Sequence, residues 1–110
     1  MEHNKKFINV LFRIEKANLF EKLLVKLKNF DRYCAEENID AHIEIVCAGD
    51  IVNNFRSLNN ELIGTGYDVA LCKNALGGDE INYKNVRTVR AGIGEIIVKK
   101  SQGYVEYTIE

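Results

Sequence analysis

The chain alternates between short apolar runs and longer stretches in which apolar residues recur every three or four positions. Residues 7–14, "FINVLFRI", are nearly continuous in apolar and β-branched side chains, which is typical of a strand covered on both faces. Residues 18–34 place apolar side chains on one helical face and charged side chains on the other. The apolar face consists of Leu19, Phe20, Leu23, Leu24, Leu27, Phe30 and Cys34. The opening therefore predicts a buried parallel strand followed by an amphipathic helix.

The rest of the chain continues this alternation. The pattern predicts strands at residues 41–48, 67–72, 86–89 and 104–109, and a helix within residues 91–103. Another helix is predicted before the third strand, with an apolar face formed by Ile51, Val52, Phe55, Leu58 and Leu62. Strands alternating with helices predict a three-layer α/β/α sandwich with a mainly parallel five-stranded sheet, in a single domain over residues 1–110. In such folds, sites form beyond the carboxyl ends of the strands.

Composition narrows the classes of function. Lys and Arg number 15 against 16 Asp and Glu, so the net charge of -1 disfavours nucleic acid or an anionic membrane as a partner. The first apolar run is broken by Asn9 and Arg13, which is not typical of a signal peptide, and no stretch approaches the ~20 apolar residues that cross a bilayer. Three cysteines without metal-type spacing indicate free thiols and a cytoplasmic location.

Cys72 ends the third predicted strand and is the first candidate for chemistry. There, backbone N–H groups of a following turn or helix and the charge of Lys73 would stabilise a thiolate. The alternative is a packed core thiol, because free cysteine is among the most buried residue types. Cys34 is interpreted as a core residue, because it lies on the apolar face of the first predicted helix. Cys47 either packs in the core or shares a crevice with Cys72 at the neighbouring strand end.

Other candidate motifs are weaker. No glycine follows the first strand, so the chain lacks the turn that a Rossmann dinucleotide site requires. Gly92 and Gly94 lie near a predicted helix start, where backbone N–H groups hold an anion or where glycine permits close packing on the sheet. His3 and His42 have no evident partner for a metal site or a catalytic triad.

Three segments carry a resemblance to a known family. They are "IEIVCAG" at 43–49, "YDVALCKNAL" at 67–76 and "VRAGIGEIIVKKSQGYVEY" at 89–107. With the opening strand and helix, they make the chain similar to the DsrE/DsrF-like (YchN-like) family of intracellular sulfur-oxidation and sulfur-relay proteins. The cysteine and asparagine of the family motif fall on Cys72 and Asn74. The chain departs from the family at Ala48, Ala75 and Arg90, where relatives often have His, Thr and Pro.

The resemblance implies a function for Cys72. It would carry sulfane sulfur as a persulfide and pass it to a partner thiol, a sulfurtransferase-type activity that needs no metal or cofactor. Lys73, Asn74, Gly92 and Gly94 would support it. The implied partners are sulfur donor and acceptor proteins and further copies of the chain, as trimers or hexamers. The aromatic last strand is a predicted sheet edge or contact face. The alternative is a non-catalytic oligomeric binding or assembly module in which Cys72 is structural.

Overall fold

The structure, a computed structural model, describes residues 5–53, 61–77 and 80–110. Strands and helices alternate along these residues. The elements are β1 (Lys6–Ile14), α1 (Phe20–Glu36), β2 (Ile39–Cys47), α2 (Asp50–Asn53), β3 (Asp68–Cys72), β4 (Val86–Val89), α3 (Gly92–Ser101) and β5 (Val105–Thr108). A short 3-10 turn precedes α1, and residues 61–64 are also helical.

The five strands form one sheet in the order β4-β3-β2-β1-β5, and every neighbouring pair is parallel. The predicted parallel α/β sheet is confirmed. β1 lies inside the sheet, which explains its nearly continuous apolar run, since Val10 and Phe12 face one side and Leu11 the other. All the carboxyl ends meet at one edge because all the strands run the same way.

Helices cover both faces of the sheet and complete the predicted α/β/α sandwich. The larger core lies between the sheet and α1 and α2, and includes Phe12, Leu23 and Ile51. The smaller core lies beneath α3. It consists of Leu11, Val46, Ala70, Val89 and Ile96. One helix of ten residues therefore covers the second face of the sheet in the part of the chain that the structure describes.

Several predicted elements differ in detail from the structure; β2, for example, begins at Ile39 and not at residue 41. For the second helix, Phe55 and Leu58 lie outside the described residues, while Ile51, Val52 and Leu62 are buried as expected. The last strand, β5, is one residue shorter at each end than predicted. It lies at an edge of the sheet, as its aromatic surface indicated, with one long side open next to exposed Val105 and Tyr107.

Candidate functional site

Cys72 is the last residue of β3 and lies at the carboxyl edge of the sheet. Its backbone is fixed by the neighbouring strand, because Cys72 pairs with Val89 and the N–H of Lys73 donates to the Val89 carbonyl at 2.8 Å. The N–H of Leu76 donates to the Cys72 carbonyl at 3.2 Å and closes the turn that follows. Sheet pairing therefore sets the position of the thiol.

The first turn of α3 lies directly against Cys72. Cys72 is on the sheet face that α3 covers and is 8% exposed. A Cβ placed on Gly92, the first residue of α3, would lie 3.4 Å from the Cys72 Cβ and 3.7 Å from its Sγ. It would lie 3.2 Å from the Cβ of Ala48, just after β2. The close packing predicted for this glycine is therefore found at Gly92.

The N-terminus of α3 has no side-chain cap. Its N-cap residue is Ala91, which has an extended backbone and makes no capping hydrogen bond through its side chain. The N–H groups of a first helical turn have no partner within the helix, and the helix dipole adds partial positive charge at this end. The partly positive end of α3 therefore lies beside the Cys72 side chain.

The other predicted supporting residues divide into two groups. Asn74 and Gly94 line one cavity of about 450 Å³ beside the start of α3, together with Arg90 and Glu95. Lys73 instead pairs with Glu80, and its Nζ lies 3.0 Å from the Glu80 Oε1. The positive charge of Lys73, which was expected to act on the Cys72 thiol, is therefore partly neutralised by the Glu80 carboxylate.

Gly94 does not pack closely on the sheet. A Cβ at this position would meet only the Cβ of Ala91, at 4.0 Å. The expectation of close backbone approach is therefore wrong at Gly94, because the helix has turned this residue towards solvent. Its contribution is limited to lining the cavity.

The two other cysteines have different surroundings. Cys34 is buried on α1, and burial followed by the charge of Asp31 raises the pKa of its thiol. Cys47 ends β2, and complete burial raises the pKa of its thiol to about 12. Cys47 belongs to the core on the α1 face, opposite Cys72. Cys47 pairs with Leu71, and successive residues of a strand point to opposite faces, so Cys72 points to the other face of the sheet. The suggested crevice shared by Cys47 and Cys72 is therefore wrong.

Sequence reasoning missed a cluster of charged groups beneath α3. The guanidinium of Arg87 on β4 donates to Asp68 at 2.9 and 3.0 Å and to Glu95 at 2.9 Å. It also donates to Glu44, which is completely buried in β2. Lys99 lies 4.0 Å from Glu95, one helical turn along α3. We call these five residues the carboxylate–arginine cluster.

Glu44 is the unusual member of the carboxylate–arginine cluster. Burial, followed by its hydrogen bond with Glu95, raises the pKa of Glu44 to about 8. Burial opposes ionisation of Glu95, but hydrogen bonds with Glu44 and Arg87 keep the pKa of Glu95 below its usual value. The sequence could have indicated this buried carboxyl group, because Glu44 interrupts the apolar run "IEIV" of a strand covered on both faces.

Other kinds of site are not found in the part of the chain that the structure describes. Within residues 5–53, 61–77 and 80–110, no group of His, Cys, Asp and Glu is arranged to hold a metal ion. The ring of His42 packs edge-on against Tyr104, and His3 lies outside the described residues. No helix among these residues is long and apolar enough to span a membrane.

No family model matches the chain, and no curated protein matches it either.

Proposed function

We propose that this protein carries sulfane sulfur as a persulfide on Cys72 and passes it to a thiol of a partner protein. The observation that carries the proposal is the contact between Cys72 and the uncapped first turn of α3, where a Cβ on Gly92 would lie 3.7 Å from the Sγ. Cys34 is buried to a similar extent as Cys72, and burial followed by the carboxylate of Asp31 raises the pKa of the Cys34 thiol.

The proposed transfer is balanced without an external oxidant. The Cys72 thiolate attacks the outer sulfur of a donor persulfide, the donor S–S bond breaks, and the donor leaves as a thiolate. The new S–S bond holds the outer sulfur, with its proton, on Cys72. A partner thiolate then attacks that outer sulfur and releases the Cys72 thiolate. The exchange needs no metal or other cofactor.

The cavity beside α3 supports the proposal. Asn74 and Gly94 line this space of about 450 Å³, which lies beside the start of α3, the helix end that contacts Cys72. In this proposal Asn74 orients the outer sulfur. Lys73, already paired with Glu80, has a smaller role. Reduced thiols are required throughout, so we place the protein in the cytoplasm.

Mass spectrometry after exposure to a persulfide donor tests the proposal. We expect one added sulfur atom on Cys72 of the native protein, and none on Cys72→Ser. Cys34→Ser is the matched control, because it removes a thiol of similar burial and should load normally. Lys73→Ala should slow loading only slightly. Normal loading of Cys72→Ser, or no loading of the folded wild type from any donor, would refute the proposal.

A second candidate is a non-catalytic assembly module with a structural Cys72. The exposed side chains of Ile93 and Ile97 favour it, since they lie one turn apart on the outer face of α3 and are 71% and 60% exposed. Apolar residues of this size on one helix face are typical of contact surfaces. This module would form a homo-oligomer and would not load sulfur, so the loading experiment separates the two candidates.

A further inference from the structure

The carboxylate–arginine cluster contains more negative than positive groups. Glu44, Asp68 and Glu95 supply three carboxyl groups, while Arg87 and Lys99 supply two cations. With every group ionised, one negative charge would remain uncompensated in a mostly buried site. Such a charge is costly at low dielectric, so binding of one proton is the direct way to remove it.

The geometry identifies where that proton lies. Nη2 of Arg87 donates to Glu44 Oε2 and also to Glu95 Oε2, the latter at 2.9 Å, so the two carboxyl groups lie side by side on one guanidinium nitrogen. Two ionised carboxylates held this close repel each other, and one proton between them removes that repulsion. Glu44 is completely buried, and its Oε1 has no hydrogen-bond partner. An ionised Glu44 would leave an anionic oxygen unpaired in the interior, whereas a neutral Glu44 would not.

Among the described residues, the nearest further cation on this face of β1 is Arg13, which pairs with Glu15 and Glu106. On β1, the residue paired with Glu44 is the apolar Leu11. On β2 itself, His42 lies two residues earlier on the same face, and its ring packs against Tyr104. The Nζ of Lys99 lies 5.0 Å from the centre of the Tyr104 ring. The charged groups of β3, β4 and α3 that face Glu44 are those already in the cluster.

Helix α3 depends on this cluster for its attachment to the sheet. Only Gly92 and Ile96 are buried among the residues of α3, so its apolar contact with the sheet is small. Glu95 lies one turn after the start of the helix and accepts a hydrogen bond at 2.9 Å from Arg87, which also bonds to Glu44. The same first turn contacts Cys72 through Gly92. Weaker bonding at Glu95 would therefore free the turn that covers the thiol.

We propose that Glu44 and Glu95 share one proton, and that this proton holds the first turn of α3 against Cys72. Both glutamates are positioning residues. When α3 opens, Glu44 reaches water and releases the proton, so opening becomes more favourable as the pH rises from the usual glutamate range towards the folded pKa of Glu44, about 8. Control of access to Cys72 builds on the proposed function, whereas the shared proton does not.

Carboxyl NMR of the wild-type protein tests the shared proton directly. In protein labelled with ¹³C at glutamate side chains, the Glu44 carboxyl is assigned by through-bond correlation to its backbone. We expect its main titration step close to pH 8, with a coupled shift at Glu95. Titration of Glu44 at the pKa of a free glutamate side chain, about 4.3, would overturn the proposal.

Alkylation tests the control of Cys72. Rates for wild type and Glu44→Gln are compared from pH 6 to pH 8, since glutamine keeps the neutral shape but cannot ionise. One linked proton changes an opening equilibrium by at most about tenfold per pH unit. We expect the ratio of wild-type to variant rate to rise by about tenfold or more over this range. If Glu44 ionised without any opening of α3, its negative charge would disfavour the Cys72 thiolate, and the ratio of wild-type to variant rate would fall. A constant or falling ratio would therefore overturn the proposal.

Internal controls keep the two proposals separable. Alkylation of the completely buried Cys47 reports global unfolding, and it should remain slow while Cys72 reacts. If Glu44→Gln does not fold, Glu95→Gln replaces it, because it also removes one carboxyl from the pair. Neither readout uses sulfur loading. A protein that never carries sulfur but shows the Glu44 titration and the rising ratio would refute the proposed function alone.

Discussion

Replacing Gly92 with alanine adds one methyl group where α3 meets the sheet. That methyl carbon would lie 3.2 Å from the Cβ of Ala48 and 3.4 Å from the Cβ of Cys72. Carbon atoms prefer separations of about 3.5 to 4.0 Å, so the start of α3 must move outward by roughly 0.5 Å. Neither neighbour can yield by rotating, because a Cβ moves only with its backbone.

The expected cost follows from these contacts. Inserting a methyl group into a packed site typically costs about 1 to 3 kcal/mol, and the helix propensity of alanine returns less than about 1 kcal/mol at a first-turn position. We therefore expect Gly92→Ala to lose about 1 kcal/mol in the free energy of unfolding. The same methyl partly covers the Sγ of Cys72, so alkylation of Cys72 should slow several-fold.

Gly94→Ala is the matched control, because it makes the same substitution two residues later in the same helix. A methyl group there meets only Ala91, at 4.0 Å, so the variant should gain up to about 1 kcal/mol from helix propensity. Urea unfolding measures both changes, and melting temperatures should differ in the same order, by about 4 °C per kcal/mol. Equal stabilities, or a Gly92→Ala protein more stable than Gly94→Ala, would refute the packing argument.

Two further predictions concern the charged cluster and assembly. Arg87→Met should reduce the free energy of unfolding by about 3 to 5 kcal/mol, because it leaves buried Glu44 and its neighbours without their common partner. Lys73→Ala breaks an exposed pair with Glu80 and should cost less than about 1 kcal/mol. Equal losses of stability in the two variants would contradict this account. Light scattering at micromolar concentration should give a mass that is a multiple of 12.5 kDa, while a single-chain mass would contradict assembly through the exposed α3 face.

The architecture could be predicted because each element carries its own signal. The nearly continuous apolar run of β1 indicates burial on both faces, and both Leu11 and Phe12 are indeed buried. The three- and four-residue spacing of Leu23 and Leu27 indicates α1 in the same local way. Cys72 could be placed at a strand end for the same reason. Its strand is short and apolar, and polar residues follow at once.

The environment of the site could not be predicted in the same way. Side chains alternate between the two faces of a strand, but this places Cys47 and Cys72 on opposite faces only when the register of β2 and β3 is known. Gly92 and Gly94 are equivalent in a G-x-G motif, yet only Gly92 contacts Ala48 and Cys72, because the rotation of α3 about its axis decides which residue faces the sheet.

The sequence by itself determined the succession of strands and helices, the parallel sheet and the cysteine at its carboxyl edge, since these depend on local periodicity and on burial. Only the tertiary structure decided that β3 lies between β2 and β4, which brings Glu44, Asp68 and Arg87 together beneath α3. These residues are far apart along the chain, and no local pattern pairs them. The raised pKa of Glu44 depends on those assembled surroundings, because burial and neighbouring groups in space decide how easily a carboxyl group ionises.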